Sequence, residues 1–189
     1  MAADNLTQAL LTDIESNQDV SLDVLDPTTG LKKRERLVVQ QTFEAISKKL
    51  GRAVLGRDIF YLFFQLHPAY LQLFKALRDI PPEQLKTHPR LKAHGLNAIQ
   101  ALAAVIENLE DTETTVLLLE KTGRDHVRRK LQSKHFEDFH STTVALLKRE
   151  LGPSFTPFVE QSWNKAFTVV NTVILGALRQ EQLDQGIES

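Results

Sequence analysis

An all-α fold follows from three observations on the sequence. Turn formers are scarce, with 8 Gly and 7 Pro in 189 residues, so the elements are few and long. From about Leu31 onward apolar residues recur at steps of three and four, the period of an amphipathic helix. No segment sustains the period-2 alternation of a strand. The length suits one sizeable domain and crowds two, and the stripes predict about seven or eight helices within it.

The elements are predicted in order as follows. Residues 1–30 form a leader that closes on the turn-rich run Asp26-Pro27-Thr28-Thr29-Gly30; within it Leu6, Ala9, Leu10 and Ile14 are spaced for a short amphipathic helix. Val39, Phe43, Ile46 and Leu50 mark the first stripe, with Gly51 as its stop. Leu55, Ile59, Leu62 and Leu66 mark the second, which ends at His67-Pro68, where Pro opens a further short helix running into Phe74 and Leu77. Pro81-Pro82 reads as a loop. Thr87 and Pro89 open a long helix with Leu91, His94, Ala98, Ala101, Leu102, Val105 and Leu109 on one face. Asp111, Thr112 and Thr114 punctuate the next connection, and a helix from Val116–Leu119 reaches His126. Phe136, Phe139, Thr143 and Leu146 mark the following stripe, closed by Leu151-Gly152-Pro153. Thr156-Pro157, a capping hydroxyl before a Pro at the first helical position, starts the last helix, whose stripe is Trp163, Phe167, Val170 and Ile174.

Composition narrows the chemistry. The absence of Cys excludes disulfides, thiolate metal sites and cysteine catalysis and suits a reducing compartment. No apolar run approaches the roughly 18 residues of a membrane span, and Met1-Ala2-Ala3-Asp4 is not a signal peptide, so the expected location is the cytoplasm. The net charge of −1 hides an asymmetry. Residues 1–30 carry six acids and no Lys or Arg, and residues 180–189 carry Glu181, Asp184 and Glu188 and no base. The body between them, residues 31–179, is net basic, so both ends are expected to be solvated, mobile acidic extensions. With 10 Phe against 2 Tyr and 1 Trp, many rings lack a polar tip and suit a dry interior.

Two of the six His stand out. His94 lies on the apolar stripe of its helix, where an imidazole must be hydrogen-bonded or face something that wants a nitrogen. Gly95, Ala98 and Ala101 around it are small, and the expectation is that a bulky, flat group approaches the backbone there. His126 ends a separate helix, placed to present one ring nitrogen to a metal while the other bonds a carbonyl. Two imidazoles make a poor zinc site, which takes four ligands, and no HExxH motif is present. They suit an iron whose four equatorial positions a porphyrin already fills, inside a large apolar slot.

The order and spacing of the short motifs resemble the globin family over roughly residues 31–179. Phe63-Phe64-Gln65-Leu66-His67-Pro68 through Phe74 is similar to the passage from helix B through helix C to the corner beyond it. Leu91-Lys92-Ala93-His94-Gly95 resembles the helix E motif with the distal histidine, and Thr122-Gly123-Arg124-Asp125-His126-Val127-Arg128-Arg129 resembles helix F with the proximal one. Phe136-Glu137-Asp138-Phe139 is similar to the start of helix G. Leu151-Gly152-Pro153-Ser154-Phe155-Thr156-Pro157 and the Trp163-Asn164-Lys165-Ala166-Phe167 that follows resemble the last corner and helix H. The resemblance implies a three-over-three helical sandwich around haem b. It implies that His126 binds iron and His94 faces the sixth coordination position or binds iron itself. Phe74 stacks on the porphyrin, Phe60 and Ala98 line the distal pocket, and Leu131 and Phe136 meet the haem edge. His140, near the pocket by this alignment, is expected to bond backbone or water. His67 is expected at the entry of helix C, and His88 and His135 at the surface.

The resemblance implies reversible binding of dioxygen or another diatomic gas. The sixth position is either empty, with His94 donating a hydrogen bond to the gas, or filled by His94 as in neuroglobin-like chains. Bulky Phe60, small Ala98 and a long connection inferred from the separation of 32 residues between His94 and His126 favour the second. Haem redox chemistry is the alternative function: nitric oxide dioxygenation, nitrite reduction or electron transfer with an external reductase. A haem-free helical interaction module is the third. Nothing in the sequence points to nucleic acid, and a homodimer stays open.

Overall fold

Each sequence stripe becomes a helix, and most helix ends fall at the punctuation that announced them. A computed structural model describes residues 2–129 and 131–187, with side chains from Thr7 onward. Its α-helices are α1 (Ala2–Ser16), α2 (Lys33–Leu50), α3 (Arg52–Leu66), α4 (Pro82–Leu85), α5 (Pro89–Glu107), α6 (Thr112–Asp125), α7 (Ser133–Leu151) and α8 (Pro157–Asp184). Short 3-10 stretches cover Val20–Asp23, Pro68–Leu73, Val127–Arg129 and Gly152–Ser154. Among the described residues the only β-pairing is an isolated bridge between Leu25 and Lys32. No described helix is long and apolar enough to cross a membrane.

Caps explain the boundaries. Gly51 stops α2 at φ 77°, the left-handed region that Gly reaches without a Cβ clash. The Thr156 hydroxyl accepts from Val159 N at 3.2 Å to start α8, and Asp111 accepts from Thr114 N at 3.1 Å to start α6. His88, expected at the surface, is half-buried as the N-cap of α5, its Nδ1 accepting from Arg90 N at 3.2 Å. Pro81-Pro82, read as a loop, opens the single turn α4, because Pro is preset for the first helical position. The buried face of α3 is Leu55, Gly56, Ile59, Phe60, Phe63 and Phe64. Leu66, placed on the expected stripe, is exposed.

Helices α2, α5 and α6 form one layer over α3, α7 and α8. The layers meet where α3 crosses α5, where α6 lies on α8 and where α2 lies on α8. The main core runs from Val38, Phe43 and Ile46 of α2 to Trp163 and Phe167 of α8. Trp163 Nε1 donates to Thr42 Oγ1 at 2.9 Å inside it, so the indole N–H is satisfied in a dry setting. Glu35, also buried, accepts from Lys32 N at 2.8 Å and pairs with Lys165. A second cluster, Phe60, Phe63, Phe64, Leu77, Ile80, Leu85 and Leu91, packs under the segment between α3 and α5.

The leader has more internal order than a solvated acidic tail. Asp13, Asp19 and Asp23 are exposed, but Leu11 and Ile14 of α1 are buried in the main core. The expected apolar face is rotated by one residue, since Leu10 is exposed and Leu6 lies outside the described side chains. Arg34 is the fastener. Its guanidinium donates to the carbonyls of Ile14 at 3.0 Å and Asn17 at 3.1 Å and to both carboxylate oxygens of Asp23 at 3.1 and 2.8 Å. Glu15 accepts from Thr156 Oγ1 at 2.9 Å, joining α1 to the corner before α8. At the other end α8 continues through Asp184, so the acidic tail begins inside a helix.

Asp26 closes the leader. One carboxylate oxygen accepts from Thr28 N, Thr29 N and Thr29 Oγ1, and the other accepts from Thr112 Oγ1 at 2.7 Å. Partial burial opposes ionisation, but these four donors outweigh it and hold the pKa at about 2. A depressed carboxylate pKa stabilises the fold above its unfolded value near 3.8 and loses that contribution as pH falls toward about 2. Asp26→Asn therefore flattens the acid limb of a pH–stability curve between those values.

The α3–α5 crossing depends on two glycines. A Cβ on Gly95 meets the Gly56 carbonyl carbon at 2.4 Å, and one on Gly56 meets the Gly95 oxygen at 2.1 Å. These are backbone atoms that cannot swing aside. Gly95→Ala should cost about 3 kcal/mol, the upper end of overpacking. Gly176→Ala, with nothing within 4 Å of its Cβ, should stabilise α8 by about 1 kcal/mol through helix propensity. Urea midpoints of the two variants check both signs.

Candidate functional site

Two helices deliver one imidazole each to a common space lined with Phe. His94 sits in the second turn of α5, half-buried, and His126 is the residue that caps α6, also half-buried. The His94 pKa lies below its ordinary 6.5, first because burial disfavours the imidazolium and then because the charges of His126 and Arg129 repel it. His126 and Arg129 are therefore near enough to His94 to act on its charge.

His126 is oriented by its own helix. Its Nδ1 lies 2.7 Å from the Thr122 carbonyl oxygen, four residues back. A carbonyl only accepts, so Nδ1 carries the hydrogen and the neutral ring keeps its Nε2 lone pair free. Thr122 in turn donates its hydroxyl to Leu118 O at 2.9 Å. Gly123 lets this end of α6 touch α8: a Cβ there meets Ile174 O at 2.4 Å and Ala177 Cβ at 2.8 Å. Phe136, from the first turn of α7, stands with its ring centroid 6.0 Å from that of His126.

The opposite wall is aromatic. Phe60 meets His94 edge-on at 4.6 Å, and Phe74, which caps the Pro68–Leu73 stretch, meets it at 5.2 Å. Phe60 also contacts Phe74 at 5.9 Å and Phe139 at 5.2 Å. Ala98, one turn after His94, lines a narrow cleft with Gly56, Ile59, Phe60 and Phe139. Leu131 is half-buried on the segment that links His126 to α7. His94 has no hydrogen-bond partner among the described residues, and no cluster of three or more metal-ligating side chains occurs among them.

Several expectations change. Gly95 does not open the α5 backbone to a flat group, because that face is taken by Gly56 of α3. The separation of 32 positions from His94 to His126 is not a long connection: α5 and α6 account for most of it, and only residues 108–111 join the two helices. His140 bonds a side chain rather than backbone or water. Its Nε2 is 2.8 Å from Asn164 Oδ1 and its ring stacks on Phe167 at 4.7 Å, with burial lowering its pKa. His67 does stand at the entry of the Pro68 stretch, stacked on Tyr70 at 5.1 Å, and Tyr70 donates to Asp138 at 2.7 Å. His135 is half-buried against that same ring at 4.4 Å rather than free at the surface. The sequence reading gave Phe139 and Thr122 no part in the site. The stripe Phe136–Phe139 held the signal for the first, and the i−4 carbonyl of any helix-capping His held it for the second.

Comparison with known proteins gives a consistent result. A family profile described as Globin matches residues 57–174. Cytoglobin-2 of Danio rerio is 30% identical over 125 residues, covering 65% of this chain and 70% of the relative. Hemoglobin-3 of Phacoides pectinatus is 30% identical over 123 residues, 64% of this chain and 78% of the relative. An anaerobic nitrite reductase of Brassica napus is 24% identical over 152 residues, 79% of this chain and 92% of the relative.

The tautomer is open to direct measurement. In ring-nitrogen NMR spectra of the haem-free protein at pH 8, His126 should show a protonated Nδ1 and a bare Nε2. The reverse tautomer would break the link between the Thr122 carbonyl and the exposed lone pair.

Proposed function

This chain belongs to the globin family and takes haem b as its cofactor, and from that premise we propose that it reversibly binds dioxygen or another diatomic gas, with His126 as the protein ligand to iron and His94 on the opposite face. The observation that carries this reading is the presentation of His126: a helix-capping imidazole with Nδ1 occupied by a carbonyl and Nε2 left free, near enough to a second imidazole to act on its charge. The donor set fits the cofactor. Two neutral nitrogens suit the axial positions of an iron whose equatorial plane is filled, and they suit no four-ligand metal.

Haem, held by His126, would supply an iron able to take a gas or the His94 nitrogen. Everything else falls to the chain. Thr122 fixes the ring of His126 and raises its basicity as a hydrogen-bonded ligand. Phe60, Phe74, Phe136 and Leu131 provide apolar walls that exclude water, and Ala98 leaves space beside His94. Burial, and then the charges of His126 and Arg129, lower the His94 pKa and so favour the neutral imidazole, which can offer its bare nitrogen to iron or its N–H as a hydrogen-bond donor to a gas. Phe60, in edge contact with that imidazole, crowds the space a gas takes and favours His94 as the second axial ligand at rest. The haem-binding unit is assigned to residues 31–179, with residues 1–30 and 180–189 as acidic extensions.

A second reading, redox chemistry at haem, is favoured by charge. Arg90, one turn before His94, and Arg128 and Arg129, just past His126, have no carboxylate within salt-bridge distance among the described residues. Cations on both sides of the site draw in anions such as nitrite, or an acidic electron donor.

The tests are spectroscopic. His126→Ala should weaken haem retention by more than the roughly 10–100-fold that loss of an outer-shell partner costs; unchanged retention and colour sink the assignment. The reduced protein should show two sharp visible bands, and His94→Leu should replace them with one broad band. A broad band in the parent protein would return His94 to the role of hydrogen-bond donor.

A further inference from the structure

We infer that Asp26, together with Arg36, is a positioning element for α6, so that the N-terminal leader sets where His126 stands. The inference rests on His126 being the iron ligand. Its basis is a pair of polar ties that reach from the leader junction to the corner immediately before α6. Asp26 holds the first residue of that helix, accepting from Thr112 Oγ1 at 2.7 Å. Arg36, itself almost fully buried, grips Glu110 through Nε at 3.0 Å and Nη2 at 3.4 Å while Nη1 donates to Leu31 O at 2.9 Å. Gln40 adds a third contact, donating to Ile106 O at 3.1 Å.

The near side of these ties is firm. Three donors from its own turn saturate one oxygen of Asp26, leaving the other to reach Thr112. Asp26 N also donates to Leu31 O at 2.9 Å, closing residues 26–31 into a loop, and Arg34 locks the preceding leader onto α1 and Asp23. The far side is a rod. Helix α6 meets the α8 backbone at Gly123, too closely for any side chain there, and His126 follows three residues later.

Helix α6 packs on α8, with backbone contact at Gly123, and the tie at Thr112 restrains the tilt of its first turn about that contact. Thr112 and Gly123 are about 16 Å apart along the helix, and His126 lies about 5 Å beyond Gly123. Pivoting at Gly123, a displacement of about 1 Å at Thr112 therefore moves residue 126 by about 0.3 Å. The carboxylate tie adds a charge interaction of the favourable sign at the start of the helix. With the Asp26 pKa at about 2, the charge is constant through neutral pH.

The experiment uses the full-length haem-loaded protein and the variants Thr112→Val, Thr112→Ser and Asp26→Ala. Two quantities are read: hydrogen exchange of the α6 amides, and the ferric electron paramagnetic resonance g-values, which follow the orientation of axial imidazoles. Thr112→Val and Asp26→Ala should each speed α6 exchange roughly tenfold or more, as loss of a charge-assisted hydrogen bond predicts, and should shift the g-values. Thr112→Ser should restore both, and the Asp26→Ala/Thr112→Val double variant should be no worse than either single one. If exchange rises only in residues 20–31 and the g-values match the parent, the tie merely fastens the leader and the inference falls. His126→Ala separates the two levels: haem retained with parental g-values overturns the ligand assignment, whereas the exchange of α6 reports on the tie alone.

Discussion

The contact on which the site depends is the one between the backbones of Gly56 and Gly95. With no Cβ on either residue, α3 and α5 cross at a distance that any side chain would forbid. That crossing fixes the neighbours of both glycines. His94 directly precedes Gly95, and Phe60 lies one turn after Gly56, so the two rings meet at 4.6 Å. Phe74 and Phe139 then fill in around Phe60. The aromatic wall, the burial that lowers the His94 pKa and the narrow cleft beside Ala98 are consequences of one close approach rather than separate features.

The opposite wall uses the same device differently. Gly123 brings the end of α6 against α8, and the ordinary i−4 relation of a helix then puts the Thr122 carbonyl under Nδ1 of His126. One glycine sets the height of the helix, and one backbone oxygen sets the rotation of the ring. The polar ties at the start of α6 complete the restraint from the leader side. Both imidazoles are thus held by backbone geometry more than by side-chain hydrogen bonds, which suits a site whose side chains are mainly Phe.

Much of this was legible in the sequence because it rests on local rules. Gly51, Thr156-Pro157 and Asp111 mark helix ends through capping chemistry that acts within a few residues. His94 and His126 stood out because polar groups on apolar or terminal positions need a reason to be there. What was not legible is long-range. Gly95 looked like an opening for a flat group, and only the position of α3 reveals that Gly56 fills it. The separation of 32 positions between the two His suggested a long connection, although the apolar stripes on either side already assign most of it to helices. The leader looked like an acidic tail because composition counts charges, whereas Arg34 and Asp26 act through partners that are distant in the chain or in turn geometry.

The bond between Glu15 and Thr156 joins residues 141 positions apart, and the Trp163–Thr42 bond spans 121. On the ribosome, the leader emerges first and its partners emerge near the end. At roughly 5–20 residues per second, the nascent α1 waits on the order of 10–30 seconds before the corner it docks against exists. Throughout that interval Leu11 and Ile14 lack part of their final cover.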